Sequence, residues 1–364
     1  MPERSFHPER LRLARQLSGL SLEAVGDGVG ISRQYLHQLE TGARDPSPDL
    51  KSALAAMLDV AVSFFESPLI NQVQVDHCHF RKLRTVPQSL MSQASARASA
   101  ISIILERLEK VVGLPPVDFP DLPQATQGIA HIEAAADNAR LFWGLGLDAP
   151  IDNMVRVLEN AGAVVVRFDD LTSRIDALSV TRRRPIVVRS TAKGEGPRPR
   201  FDLAHELGHL IMHEGVVTGD AETEGQAHRF ASAFLVPARA FLREFPRLSG
   251  RRIDWVGLHQ MKLRWGISMR ALARRAYDLG IFDAAQYRTA NIHLSKSGQT
   301  KHEQGDELVP AEHPELLNAA LQYAEQSDAS ALPRLIRSLG MTNRLFKRLT
   351  EFEIQELPEN VAVI

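Results

Sequence analysis

The pentapeptide His205-Glu206-Leu207-Gly208-His209 constrains this chain more than any other stretch. On an α-helix, positions i and i+4 lie on one face, a turn apart. Two imidazoles so placed can bind one Zn²⁺ together. Glu206 follows the first histidine, where its carboxylate can take a proton from a metal-acidified water without ligating the metal. Five residues thus hold two ligands and a general base, provided that the segment is helical. Its surroundings ask for a helix: Leu203, Ala204, Leu207, Leu210 and Ile211 recur at helical spacing and make one apolar face. Gly208 is a poor helix former, and its place between the histidines suits close approach by a neighbouring backbone. His213 lies one turn beyond His209 and ranks as a lesser ligand candidate.

A tetrahedral catalytic zinc takes three protein ligands and keeps one open position. The third is expected from Glu222 to Pro237, which reads as a second helix packed through Ala227, Phe230, Ala231, Phe234 and Leu235. Glu222, Glu224 and His228 are all within reach there, although carboxylates at a helix start also complement its dipole. Together, "RFDLAHELGHLIMH" from Arg200 and "EGQAHRFASAFLVP" from Glu224 resemble the paired signature of the ImmA/IrrE-type metallopeptidases. The resemblance extends upstream to "WGLGLDAPIDNMVRVLE" from Trp143. It implies Zn²⁺, with Mn²⁺ an alternative in its place, held by His205, His209 and Glu224, and Glu206 as the catalytic base. One position departs from that family, which commonly carries Asn or Asp after the alanine of the second motif; this chain has His228.

Residues 8–66 read as a compact helical unit. Helices are expected over 8–17, from Leu22 behind a Ser21 cap, over 33–41 behind Ser32, and over 48–58. Gly30-Ile31-Ser32 supplies a tight turn between the second and third, which is helix-turn-helix grammar. The run from Leu11 to Leu50, with "GIS" and "LETGARDPS", resembles the Xre/Cro family of DNA-binding domains. That resemblance implies a third helix in the major groove. Ser32, Arg33, Gln34, Tyr35, His37 and Gln38 would then face DNA, with Arg44 at the backbone. Charge argues the other way: residues 1–70 carry seven Lys/Arg against nine Asp/Glu, a net of −2, whereas phosphate neutralisation usually supplies much of the affinity. Gly26 and Gly28 fall inside the second helix, at a cost of about 1 kcal/mol each.

A length of 364 residues suggests two or three domains. The expected division is 1–70 helix-turn-helix, 71–125 connector with a long helix over 92–112, 126–245 zincin-like peptidase domain, and 246–364 helical C-terminal region. Strands are expected at 73–80, 163–168, 176–180 and 185–189, from alternation and β-branched content. The expected fold class is therefore mainly α with a small β-sheet (α+β). In the first strand Cys78 would face away from His77 and His79, so this trio reads as structural. Arg182-Arg183-Arg184 reads as a solvated turn. Helices are expected over 255–263 and 268–279, a second helix-turn-helix-like pair that reads as a packing module for the peptidase. Segment 296–311 is polar and reads as a flexible linker. Amphipathic helices over 314–324 and 332–349 read as an interaction or dimerisation tail.

Composition narrows the class further. A hydrophobic fraction of 44% and a charged fraction of 24% are those of an ordinary globular protein. The net charge of −1 gives no global bias toward nucleic acid or membrane. The single cysteine excludes an internal disulfide and fits a reducing compartment. With neither a signal core nor a bilayer-length apolar run, a cytoplasmic, non-membrane protein is expected. The two resemblances together imply a zinc endopeptidase, with an activity that can be latent, joined to a DNA-binding domain. Expected partners are DNA, a repressor or other helix-turn-helix protein as substrate, single-stranded DNA as an activator, and a second copy of the chain. The alternative is an Xre-type regulator whose zinc domain senses or stabilises without hydrolysis.

Overall fold

A computed structural model describes residues 6–69, 78–80, 87–121, 128–168, 177–180, 183–190, 194–248 and 252–354. The chain forms two compact units. The first joins both ends, Met1–Cys78, Thr85–Leu114 and Glu315–Ile364; the second holds His79–Arg84 and Pro115–Pro314.

The first unit opens with α1 (Pro8–Leu17), α2 (Leu22–Val29), α3 (Arg33–Glu40) and α4 (Pro48–Met57), in the predicted order. Ser21, Ser32 and Ser47 cap the last three, each accepting from a backbone N–H three residues on, at 3.0–3.2 Å. The glycines predicted to weaken α2 have a steric reason. A Cβ on Gly26 would lie 2.7 Å from the Ile31 carbonyl oxygen, and one on Gly28 would lie 2.3 Å from Met57 Cε. They let the turn and α4 close onto α2. A long helix, α5 (Gln88–Leu108), then packs against α1.

The second unit is built around one helix. Its sheet is small: β1 (Cys78–Phe80), β2 (Val164–Phe168), β3 (Ala177–Val180) and β4 (Ile186–Ser190), in the order β1-β3-β4-β2. β2 pairs parallel with β4, with Val165 opposite Val187; β3 pairs antiparallel with β4, with Leu178 opposite Val188. The predicted strand residues 73–77, and Arg182 of the basic turn, lie outside the described residues. Around the sheet stand α6 (Ile129–Phe142), α7 (Met154–Asn160), α8 (Pro197–Met212), α9 (Ala221–Leu235) and α10 (Ala238–Glu244). They are followed by α11 (Trp255–Trp265), α12 (Met269–Asp278) and α13 (Ala284–Lys296). The α+β class holds. α8 carries the His-Glu-x-x-His stretch and is buried on every side except at Arg198 and Met212. It packs against α7, α9, β3 and β4. Trp265, Leu272 and Ala276 enter the same core as Leu203, Leu207, Phe230 and Phe234, so α11 and α12 serve as packing elements of this unit.

Buried charges fix this core. Arg140 is fully buried and donates to the carbonyls of Gly146 at 2.6 Å and Phe234 at 2.7 Å. Arg200, on α8, pairs with Glu312 and also donates to the Ile151 carbonyl. The other carboxylate oxygen of Glu312 accepts from the Met154 N–H at 2.9 Å, at the start of α7. The expected flexible linker over 296–311 is not one. Lys262 is fully buried, and its ammonium donates to Asp306 at 2.6 Å, the Gln304 carbonyl at 2.9 Å and Glu303 at 3.3 Å. A buried ammonium needs such acceptors, and the polar composition that reads as a linker is the cage around it.

The chain returns to the first unit through α14 (Leu316–Ser327), α15 (Ala331–Leu339) and α16 (Asn343–Thr350). The single helix expected over 332–349 breaks at Gly340, which takes φ 64°. A Cβ there would lie 2.4 Å from the Phe64 amide nitrogen. Among the described residues, no helix is long and apolar enough to cross a membrane.

The Arg200–Glu312 pair yields a stability test. Glu312→Ala leaves the Arg200 guanidinium buried without its carboxylate, and loss of one partner of such a pair costs about 3–5 kcal/mol. Denaturant unfolding followed by tryptophan fluorescence should show an unfolding free energy lower by that amount.

Candidate metal centre

Helices α8 and α9 approach closely at Gly208. A Cβ on this residue would lie 3.1 Å from Phe230 Cδ1 and 3.3 Å from Ala227 Cα. The approach sets the first turn of α9 over the two histidines. His205 Nε2 and His209 Nε2 are 3.1 Å apart. One oxygen of Glu224 lies 3.4 Å from His205 Nε2, and the other lies 3.4 Å from His209 Nε2. Bonds of 2.0–2.1 Å to a tetrahedral ion would place ligand atoms about 3.4 Å apart, so the three residues fit such an ion. Two ring nitrogens facing each other at this distance need a cation or a shared proton between them. Both histidines are buried. Burial opposes ionisation of Glu224, but the adjoining His205 and His209 rings override it and hold the carboxyl well below its usual range.

The rear of His209 is organised as well. Its Nδ1 lies 2.9 Å from His213 Nδ1, and His213 Nε2 lies 2.8 Å from Gln226 Oε1. The Gln226 amide nitrogen faces Glu222 Oε1 at 3.4 Å, which orients the amide. Protons then follow by elimination. Gln226 Oε1 can only accept, so His213 carries its proton on Nε2 and offers a lone pair at Nδ1. His209 therefore donates from Nδ1, which leaves a lone pair on Nε2, the atom that faces Glu224. Burial, partly offset by the Gln226 bond, lowers the His213 pKa and so favours the neutral ring this relay needs. Sequence reasoning ranks His213 as a lesser ligand; it stands instead behind one, on the side away from the other two residues.

Glu206 is fully buried beside the histidines, and Ser179 Oγ on β3 donates to its Oε2 at 2.6 Å. Sequence reasoning missed Ser179 and Gln226, since only the fold brings them here. Of the three candidates on the second helix, Glu224 joins the histidines. Glu222 is exposed, and the His228 ring packs on Phe201 at 4.8 Å, with its centroid 6.1 Å from that of His205. One turn along both helices lies a cavity of about 410 Å³ lined by Phe201, Asp202, His228, Arg270, Arg274 and Tyr287, among others.

In the first unit, Arg33, Gln34 and His37 are exposed on α3. Ser32 is occupied as its cap. Tyr35 is half-buried beneath the Arg44 guanidinium, 5.6 Å from the ring centroid. Gln38 is half-buried, and its carbonyl accepts from the Ala43 and Arg44 amides.

These features define a helix-turn-helix protein that also carries a peptidase-like unit. Family models agree: residues 158–277 match the IrrE N-terminal-like domain, a peptidase family, and residues 9–62 match a helix-turn-helix domain. The chain thus joins an N-terminal helix-turn-helix domain to an IrrE N-terminal-like domain. No curated protein matches it.

The relay behind His209 makes a prediction. His213→Ala and Gln226→Ala should each weaken metal binding by about 10–100-fold, the usual effect of removing an orienting partner. Competition with a chelator measures the change, and unaltered circular dichroism separates it from unfolding.

Proposed function

We propose that this protein is a zinc-dependent endopeptidase that acts on a repressor or another helix-turn-helix protein and so controls transcription. The observation that carries the reading is the buried cluster of His205, His209 and Glu224 with the Glu206 carboxylate held beside it. Two imidazoles and one carboxylate suit Zn²⁺ better than Mn²⁺, which prefers oxygen donors. A bound zinc supplies Lewis-acid polarisation of the scissile carbonyl and a lowered pKa for water. Glu206 takes the proton of the attacking water and delivers it to the departing amine nitrogen. Ser179 fixes the carboxylate rotamer, so that one oxygen is tied back while the other serves the proton transfer. The cavity beside Phe201 and His228 offers room for substrate side chains on one side of the scissile bond. In the first unit, Arg33, Gln34 and His37 are the proposed base-facing residues of α3, with Arg44 at the backbone.

The competing reading is a regulator whose metal is structural or sensory. Structural zinc sites are closed by four protein ligands. Among the described residues, only three metal-ligating side chains converge here, which favours an open, catalytic position.

Glu206→Gln tests the reading. Metal content should stay at the wild-type level, while cleavage of a helix-turn-helix substrate falls by about 10²–10⁴-fold. Mass spectrometry of the products and metal analysis of the same samples check both. Cleavage at the wild-type rate by the variant would overturn the assignment of Glu206.

A further inference from the structure

The helix-turn-helix domain poses a problem of charge. Residues 1–70 carry a net of −2, and part of their positive charge is already used internally. Arg15 holds the buried Glu40 through two bonds of 2.6 and 2.8 Å. A duplex-binding unit needs cations for the phosphates, and the same compact unit holds a source of them far along the chain.

Residues 331–350 contain Arg334, Arg337, Arg344, Lys347 and Arg348 and no Asp or Glu. All five are exposed. On α16, Arg344, Lys347 and Arg348 stand at i, i+3 and i+4, one face of the helix. Asn343 is exposed beside them, and Leu345, Phe346 and Leu349 are buried on the other side. The apolar side packs on α5.

The connection into α16 repeats the one into α3 bond for bond. Gly30 and Gly340 take φ/ψ of 73°/31° and 64°/22°. The amide of each glycine donates three residues back, and the next amide donates five back: Gly30 to Asp27 and Ile31 to Gly26, Gly340 to Arg337 and Met341 to Ile336. Ser32 caps α3 by accepting from the Tyr35 amide at 3.1 Å, and Thr342 caps α16 by accepting from the Leu345 amide at 3.0 Å. This second turn is fastened to the helix-turn-helix domain. The Ala61 amide donates to the Gly340 carbonyl at 2.9 Å, Val60 bridges to Met341, and Thr342 Oγ1 donates to the Asp59 carbonyl at 3.1 Å.

We propose that the basic face of α16, helped by Arg334 and Arg337 of α15, is a second duplex-DNA contact of this unit, one that supplies the phosphate charge the helix-turn-helix domain lacks. The inference rests on the DNA-binding reading of that domain. The face is not bare: Arg344 meets Asp59 at 2.8 Å, Lys347 meets Glu353 at 2.5 Å, and Arg334 meets Asp328. These pairs are exposed on the cation side, and such pairs are weak and yield to phosphate.

The test uses the full chain and duplex oligonucleotides of random and genomic sequence, with fluorescence anisotropy between 50 and 200 mM salt as the assumed range. Each phosphate contact adds about 0.9 to the slope of log K against log salt. The triple variant Arg344→Gln, Lys347→Gln, Arg348→Gln should flatten that slope by about 2–3 and weaken all duplexes alike. Its melting temperature should stay close to that of wild type, because the ion pairs these side chains make are exposed on the cation side and weak. An unchanged slope overturns the proposal and leaves the face to an acidic protein partner. Arg33→Gln with Gln34→Ala is the comparison. If that variant alone weakens binding, the helix-turn-helix reading stands and α16 is excluded. If the wild-type chain binds no duplex at the lowest salt, both readings fall.

Discussion

The centre of the second unit depends on how closely α8 comes to α9 at Gly208. Nothing larger than hydrogen fits there without moving Phe230 or the backbone at Ala227. Only at that separation do the carboxylate oxygens of Glu224 stand 3.4 Å from both histidine nitrogens. Metal sites tolerate displacements of about 0.2 Å in their ligand distances, while a methyl group at Gly208 asks for a few tenths of an ångström. The helix propensity lost at glycine, about 1 kcal/mol relative to alanine, is thus the cost of a geometric tolerance, and Phe230 and Phe234 of the second helix share one buried core with Leu203 and Leu207 of the first.

The helices were legible because each rests on short-range pattern. The i, i+4 spacing of His205 and His209 places both on one face, whereas spacing leaves Glu222, Glu224 and His228 open on the next helix, and only the family resemblance singles out Glu224. What was hidden rests on tertiary pairing. Ser179 sits in a strand whose alternation says which face it takes, not that Glu206 lies across from it. Gln226 is an ordinary helical polar residue until His213 is brought to 2.8 Å. No periodicity marks Lys262, Arg140 and Arg275 as interior, yet each is fully buried, Arg275 on Glu133, 142 positions away. The polar stretch after Lys296 was misread for the same reason: composition records that Glu303 and Asp306 are charged, and says nothing of the ammonium they enclose.

Those buried charges bind the His205, His209 and Glu224 cluster to residues far from it. Arg200 lies on the helix of the two histidines, one turn and a residue before His205, and its carboxylate partner is 112 positions away at Glu312. That same carboxylate accepts from the first amides of α7. One ion pair therefore ties the start of α8, the start of α7 and the last residues of the unit. The stretch matched as an IrrE N-terminal-like domain runs from 158 to 277, so Glu133, Arg140 and Glu312 all lie outside it. The centre is assembled by the whole of the second unit. A buried pair of this kind is weak evidence for stability in itself, and its value here is positional: it fixes the register of α8 against its neighbours.

Burial of Glu206 bears on the choice between hydrolysis and a purely structural metal. A carboxylate with no exposed surface carries a desolvation cost of several kcal/mol unless it is bonded or placed near positive charge. Ser179 offsets part of that cost, and a divalent ion beside it would offset more. An apolar side chain at 206 would pack a structural centre without the penalty. Its place one residue after His205 sets it next to the position an ion would take between His205, His209 and Glu224 without making it a ligand. The His213–Gln226 relay fits the same economy, since it presents the lone pair of His209 toward Glu224 and keeps the ring from rotating. Both features concern proton position rather than packing, which is why the peptidase reading accounts for more of the site than the structural one.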